Sequence, residues 1–365
     1  MNDTSEFDVA QNNPGIQNQT DVAKCPGCGA NLVFSPEKGA LFCEHCETVL
    51  QFESETSSEL SLNKLFSKTS SWGEETHIFS CPNCGASEII AKNEISKACP
   101  YCGSVNVLEK HDISGLKPNA VVPFKLNKNQ ASEMAKKWAK RRIFAPSSYK
   151  KSIEPEGLNG VYTPAFTFDS YTYTQYSGVL ERTEQRTTRV NGKTVVKTVS
   201  VRFNISGTFS HFFDDLVVRA SKKIEEKFFH KLLPFDTNNS ETYNDSFIHG
   251  FSASQYDMDG PACWDSARQT MKAQIKQLIL RKYTYTSVVS FNATTSFNDN
   301  KFKYVLLPIY IGHSRFKEKL YNLFINGSTG KASGKTPISP IRVGIASILG
   351  LGVLIAIIFM IFNII

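Results

Sequence analysis

"CPNCGASEIIAKNEISKACPYCG", residues 81–103, sets two Cys-x-x-Cys knuckles fourteen residues apart. Zinc wants four soft ligands in a tetrahedron, and two such knuckles on separate hairpins deliver them. The arrangement stands also 56 residues earlier, where Cys25-x-x-Cys28 and Cys43-x-x-Cys46 are again fourteen residues apart. A single Cys-x-x-Cys pair is a weak signal, since redox pairs share it. Two full sets at one spacing point to metal, and they take eight of the nine cysteines.

Disulfides are the competing use of these thiols. The opening "MNDTSEFDVAQNNPGIQNQT" has neither a basic nor an apolar region, so no secretory signal is expected and the thiols belong in a reducing cytosol. Cys25, Cys28, Cys43 and Cys46 are read as ligands of one structural zinc ion, and Cys81, Cys84, Cys99 and Cys102 as ligands of a second. Four thiolates leave no open position, so neither site is catalytic. Iron is the alternative, because C-P-x-C-G knuckles also serve rubredoxin-like sites, whose second knuckle normally lies much farther along. Backbone N–H groups of each knuckle turn can face the sulfurs. The residue after the second cysteine often needs positive φ, which Gly29, Gly85 and Gly103 supply. Glu47 stands at that place in the first ribbon's second knuckle, which is therefore the least regular of the four. His45 is not taken as a ligand while four thiols are at hand.

The carboxy-terminal end reads differently. Val343–Phe362 holds no charged residue, and its twenty residues at about 1.5 Å each give about 30 Å, a hydrocarbon thickness. Lys331, Lys335 and Arg342 precede it and only residues 363–365 follow. The expectation is a single-pass, tail-anchored protein of the cell membrane whose amino-terminal part is cytoplasmic. Residues 1–80 carry 12 acidic and 4 basic residues, a balance of −8. The rest carries 37 basic and 22 acidic, a balance of +15. A basic excess suits phospholipid or nucleic acid without choosing between them.

Between ribbons and span, the fold class expected is α+β, rich in antiparallel sheet. Asn127 with Gln130 forms a capping box, and Ala131, Met134, Ala135, Trp138 and Ala139 line one helical face before Pro146. "AFTFDSYTYTQYSG" alternates like a half-buried strand, and Asn191-Gly192 turns a hairpin. Pro261 opens a second helix, and "KYVLLPIYIG" and "LYNLFING" are further strands. The expected organisation is a disordered stretch 1–22, ribbons at 23–52 and 77–110, and a linker 53–76 between them. The α+β domain spans 118–332, followed by a flexible neck 333–342 and the span 343–362.

Three motifs tempt towards other functions. "GSTGKASGKT", 327–336, imitates a phosphate loop, but Gly330 is one residue out of register and Pro337 and Pro340 preclude the helix that should follow. Cys263, at a helix start, would need His313 as its partner, which nothing in the sequence specifies, and it reads as a packed core thiol. "KKWAKRRIFAPSSYKK", 136–151, could meet phosphate of lipid or nucleic acid, but a solvated helix face explains it as well. No enzyme and no small-molecule substrate is expected.

The knuckles, with "VVPFKL" at 121–126, "FAPSSYK" at 144–150, "GVYTPAFTFD" at 160–169, "LLPIYI" at 306–311 and "NGSTGK" at 326–331, resemble a family of bacterial membrane-associated proteins with TFIIB-type zinc ribbons. Members are often labelled primosomal or helicase-like, and some are encoded beside phage-shock-like or flotillin-like proteins. The resemblance implies a membrane adaptor in envelope stress or membrane-domain organisation. The expected function is thus a zinc-binding, membrane-anchored adaptor for protein partners. The alternative is a membrane-tethered nucleic-acid binder.

Overall fold

The computed structural model describes residues 23–66, 76–91, 99–102, 104, 108–110, 115–151, 153, 157–190, 193–316 and 319–362. The expected disorder of 1–22, the Asn191-Gly192 turn and Gly103 lie outside them.

The chain opens with a three-stranded antiparallel sheet, β1 (Val33–Ser35), β2 (Ala40–Phe42) and β3 (Val49–Leu50), the first ribbon. Next come β4 (Leu60–Ser61), β5 (Thr76–Ser80), β6 (Ser87–Ala91), β7 (Leu108–Lys110) and β8 (Ala120–Val121). Helices α1 (Lys128–Lys140) and α2 (Ser147–Lys151) precede two long strands, β9 (Leu158–Val190) and β10 (Lys193–Arg219). The order continues with α3 (Glu226–Leu232), β11 (Glu241–Thr242), β12 (Ser252–Ser254) and α4 (Gly260–Leu280). It ends with β13 (Ser287–Phe316), β14 (Lys319–Asn326), β15 (Ala332–Gly334) and α5 (Pro340–Phe362). Antiparallel pairing dominates, so the fold is the expected sheet-rich α+β with two four-cysteine clusters and one apolar terminal helix.

Local chemistry accounts for the helices. Asn127 accepts the Gln130 N–H at 2.8 Å and Gln130 Oε1 accepts the Asn127 N–H at 2.9 Å, which closes the capping box of α1. Ala131, Ala135, Trp138 and Ala139 are buried on one face, with Met134 packed beside them. In α4, Asp259 caps through the Ala262 N–H at 3.0 Å and Pro261 occupies the first turn, where its missing N–H costs nothing. The buried face of α4 holds Trp264, Met271, Ile275 and Ile279.

The frame is a sheet built on β9, with β10 on one side and β13 on the other. Strand β10 pairs antiparallel with β9 from Lys193↔Val190 onward. At about 3.3 Å per residue a straight 33-residue strand spans about 110 Å, so β9, β10 and β13 form a long arm. Beyond Ser287↔Glu181 only β9 and β10 continue, as a two-stranded ribbon. Residues 161–170 of β9 are buried on both faces, whereas burial alternates from Tyr171 to Leu180. The change coincides with irregularities on both neighbours, between Phe213 and Leu216 and between Asn298 and Lys301. Helix α4 covers one face: Trp264 packs on Phe168 at 5.2 Å and Tyr283 Oη meets Tyr176 Oη at 2.7 Å. On the other face Tyr171 and Phe212 stack at 4.3 Å and remain exposed.

Two expectations about connecting segments need correction. The described part of the 53–76 linker is built into the body. Thr56 bridges Glu241, β4 pairs with Lys301 and Phe302 of β13, and Leu65 is buried against Gly260. The 333–342 neck is likewise not a free tether: β15 pairs antiparallel with β14, and the Ser339 N–H donates to the Phe144 carbonyl at 2.8 Å. Strand addition uses backbone groups that every residue carries, so a polar composition does not reveal it.

Candidate metal centres and their setting

Each expected set of four cysteines converges. The sulfurs of Cys25, Cys28, Cys43 and Cys46 all lie within 4.8 Å of one another, as do those of Cys81, Cys84, Cys99 and Cys102. In the first set, Cys25–Cys46 is 3.3 Å and Cys28–Cys43 is 3.5 Å. In the second, Cys81–Cys102 and Cys84–Cys99 are both 3.6 Å. A disulfide needs about 2.0 Å, and all nine cysteines are free. A tetrahedron with metal–sulfur bonds of about 2.3 Å has edges of about 3.8 Å, close to what is found. The donor set fits two closed metal sites.

Backbone geometry explains the knuckles. The Gly29 N–H donates to the Cys25 carbonyl at 2.8 Å, Gly85 to Cys81 at 2.7 Å, and Glu47 to Cys43 at 2.9 Å. These turns need positive φ: Gly29 has +74°, Gly85 +65° and Glu47 +61°. The irregular second knuckle of the first ribbon keeps the conformation and carries the side-chain strain. Thr48 Oγ1 also lies 3.1 Å from the Cys46 sulfur.

The thiols are not equivalent. Burial opposes ionisation of Cys25, but the N–H groups of Cys28 and Gly27 bring it down to about 6. Cys81 is likewise held at about 7 by Cys84 and Asn83 N–H groups against its burial. Burial pushes Cys84 up to about 11 and Cys99 higher still. Four thiolates gathered in such a cluster would need a divalent cation to balance their charge, which suits the donor set to a metal.

The ribbons do not share a core. The first packs by Phe34 and Phe52 on Phe247, at 5.3 and 4.9 Å, and the Phe34 N–H donates to the His249 carbonyl. The second joins the main sheet through Ala253↔Ile89 and Ser254↔Glu88, and Tyr101 Oη meets Ser254 Oγ at 2.8 Å. Lys223 Nζ donates to the Cys84 carbonyl. Each site thus staples a different side of the body: Cys25 and Cys43 belong to one buried cluster, Cys81 and Cys99 to another.

Other sequence candidates fall apart. Cys263 is fully buried, faces the Arg219 and Met258 carbonyls, and burial pushes it up to about 12. His313 lies opposite Asn322 on β13, and burial lowers its pKa. The 327–330 stretch is a turn between β14 and β15, where Asn326 Oδ1 accepts the Ser328 and Thr329 N–H groups.

One constellation has no signature in the sequence. Glu59, Asp169 and Asp214 bring carboxylate oxygens within 4.8 Å. Asp169 is 3% exposed; its Oδ1 accepts the Asp215 N–H at 2.8 Å, and its Oδ2 meets no donor. Burial first, and Glu59 second, hold Asp169 at about 8, while the Asp169 proton keeps Glu59 low. Lys301 pairs with Glu59 at 3.2 Å and Lys303 with Asp215 at 2.9 Å. The arrangement is a crowded set of carboxylates in which ionisation of the buried Asp169 is opposed, with Lys301 and Lys303 as neighbouring cations.

No protein-family model and no solved structure matches the chain. It is similar to the uncharacterized protein YdjG of Bacillus subtilis (strain 168), 26% identical over 318 residues, which are 87% of this chain and 90% of that protein.

Proposed function

We propose that this protein is a non-enzymatic adaptor, anchored in the cell membrane by α5, that presents two zinc-stapled ribbons and a sheet arm to protein partners in the cytoplasm. The observation that carries the reading is α5. Pro340–Ile361 is long and apolar enough to cross a bilayer, and none of it is buried against the body. Basic residues before the span favour a cytoplasmic body. Zinc suits the closed four-thiolate geometry better than a metal needing an open position. A structural metal serves a surface, and both ribbons are joined to the body that α5 tethers. The resemblance to TFIIB-type zinc-ribbon membrane proteins extends the proposal to envelope stress or membrane-domain organisation.

The nucleic-acid reading has one observation in its favour. The two-stranded end of the arm carries Arg182, Arg186, Arg189, Lys197 and Arg202, and such a ribbon can enter a major groove. Glu184 pairs with Arg182 at 2.8 Å and Arg186 at 3.8 Å, and Glu181 with Arg202 at 3.3 Å. That internal pairing weakens the arm as a phosphate ligand and supports the adaptor.

The test is a crosslinked pull-down from solubilised membranes, comparing the intact chain with Cys81→Ser/Cys84→Ser and counting protein and nucleic acid in each sample. Specific protein partners lost from the variant support the adaptor. Salt-sensitive nucleic acid without a specific protein partner overturns it.

A further inference from the structure

The "RRIFAPSSYK" stretch left two readings open, and its position in the fold favours one. Arg342, in the first turn of α5, reaches back across 199 residues to this loop. Its guanidinium donates to the Ile143 and Ala145 carbonyls at 3.0 and 2.8 Å and to Ser147 Oγ at 2.6 Å. The Ser339 N–H donates to Phe144. The loop between α1 and α2 is therefore clamped where the apolar run of α5 begins.

What the loop exposes is unusual for a solvated turn. Ile143 is 66% exposed and Phe144 38%, and Ile341 beside the clamp is 75% exposed. Around them Lys140, Arg141 and Lys151 are exposed and Lys150 is half-exposed. Among the described residues none of these four cations forms an ion pair with a carboxylate, and Lys150 Nζ donates to the Lys140 carbonyl at 3.4 Å. Arg142 instead stacks on Trp138 at 4.7 Å, which stiffens the helix end. Exposed apolar tips ringed by cations are costly against water. Against an anionic bilayer surface the tips enter the interface and the cations meet phosphates.

We propose that the Lys140–Lys151 face is a docking surface for anionic phospholipid headgroups of the leaflet that α5 enters. Ile143 and Phe144 insert at the interface, and Lys140, Arg141, Lys150 and Lys151 hold the phosphates. The proposal rests on reading α5 as the membrane span. Docking fixes the tilt of the whole body on the membrane, because the clamp joins the loop rigidly to the anchor. Each cation near an anionic surface contributes about five-fold to such an equilibrium, so removing four weakens it on the order of several hundred-fold.

The experiment uses the full chain in vesicles of phosphatidylcholine alone or mixed with phosphatidylglycerol, containing lipids brominated near the headgroup end. Ile143→Trp is compared with the wild type. The expected result is extra tryptophan quenching in the mixed vesicles, lost when Lys140, Arg141, Lys150 and Lys151 are all changed to Gln. Resistance to carbonate extraction is measured on the same samples. Extraction of the wild type would overturn the anchor reading, and the proposal with it. Carbonate-resistant protein without extra quenching, or with quenching indifferent to acidic lipid and to the four glutamines, would overturn the proposal and leave the anchor standing. Retention of labelled duplex DNA by the four cations, with quenching unchanged on their removal, would assign the patch to nucleic acid instead.

Discussion

Replacing Asp169 by Asn removes one titration from the base of the arm while keeping its shape. Asn can accept the Asp215 N–H through its oxygen and turn its amide towards the nearby Glu59 carboxylate. In the folded protein Asp169 titrates at about 8, against about 3.9 for an unfolded aspartate. A raised folded pKa means that the folded state binds the extra proton between those two values. The contribution is full below about pH 4 and is lost as pH rises through about 8. One proton corresponds to a fall of at most about 1.4 kcal/mol per pH unit in that window. Over two units in its middle, wild type should lose up to about 3 kcal/mol relative to Asp169→Asn. The assay is urea unfolding of full-length protein in detergent at constant zinc, at a series of pH values between these limits. Groups outside this cluster titrate equally in both proteins, so the difference isolates Asp169 and its coupling to Glu59. Parallel stability profiles for the two would refute this description of Asp169.

Three further outcomes follow from the geometry. Glu47→Gly relieves a side chain held at φ +61° and should strengthen the first zinc site by about 1 kcal/mol, read by competition with a zinc chelator; unchanged or weaker binding contradicts the strain. Asn326→Ala deletes four buried or half-buried hydrogen bonds, to the Leu232 and Pro234 carbonyls and from Ser328 and Thr329, and should cost about 3 kcal/mol in chemical unfolding. Cys81→Ser/Cys84→Ser removes one metal whose binding is worth on the order of 10 kcal/mol to its module, so amides of β6 and β12 should lose hydrogen-exchange protection. Protection in β1 and β2 should persist, because the first ribbon belongs to the other buried cluster.

What could be read in advance was chemistry of short range. The knuckles, the Asn127–Gln130 box and Pro261 each specify their structure within a few residues. Glu47 marked the one irregular knuckle, although not that its backbone would comply. Long-range placement was illegible for a common reason. Ser57, Leu60 and Ala332 join sheets through backbone groups, which composition does not encode. Glu59 and Asp169 stand 110 residues apart, and Arg342 and Ala145 stand 197 apart; only the fold makes them neighbours. The length of the arm was hidden because residues 287–301 of β13 are mostly polar and none of them is fully buried.

The account stands on the two cysteine sets being closed zinc sites, since both ribbons and the surfaces they build depend on them. Native mass spectrometry of the full chain released from detergent tests this directly. The prediction is a chain carrying two zinc ions, with eight fewer protons and no disulfide. A metal-free chain with intramolecular disulfides, or one carrying iron, would contradict it.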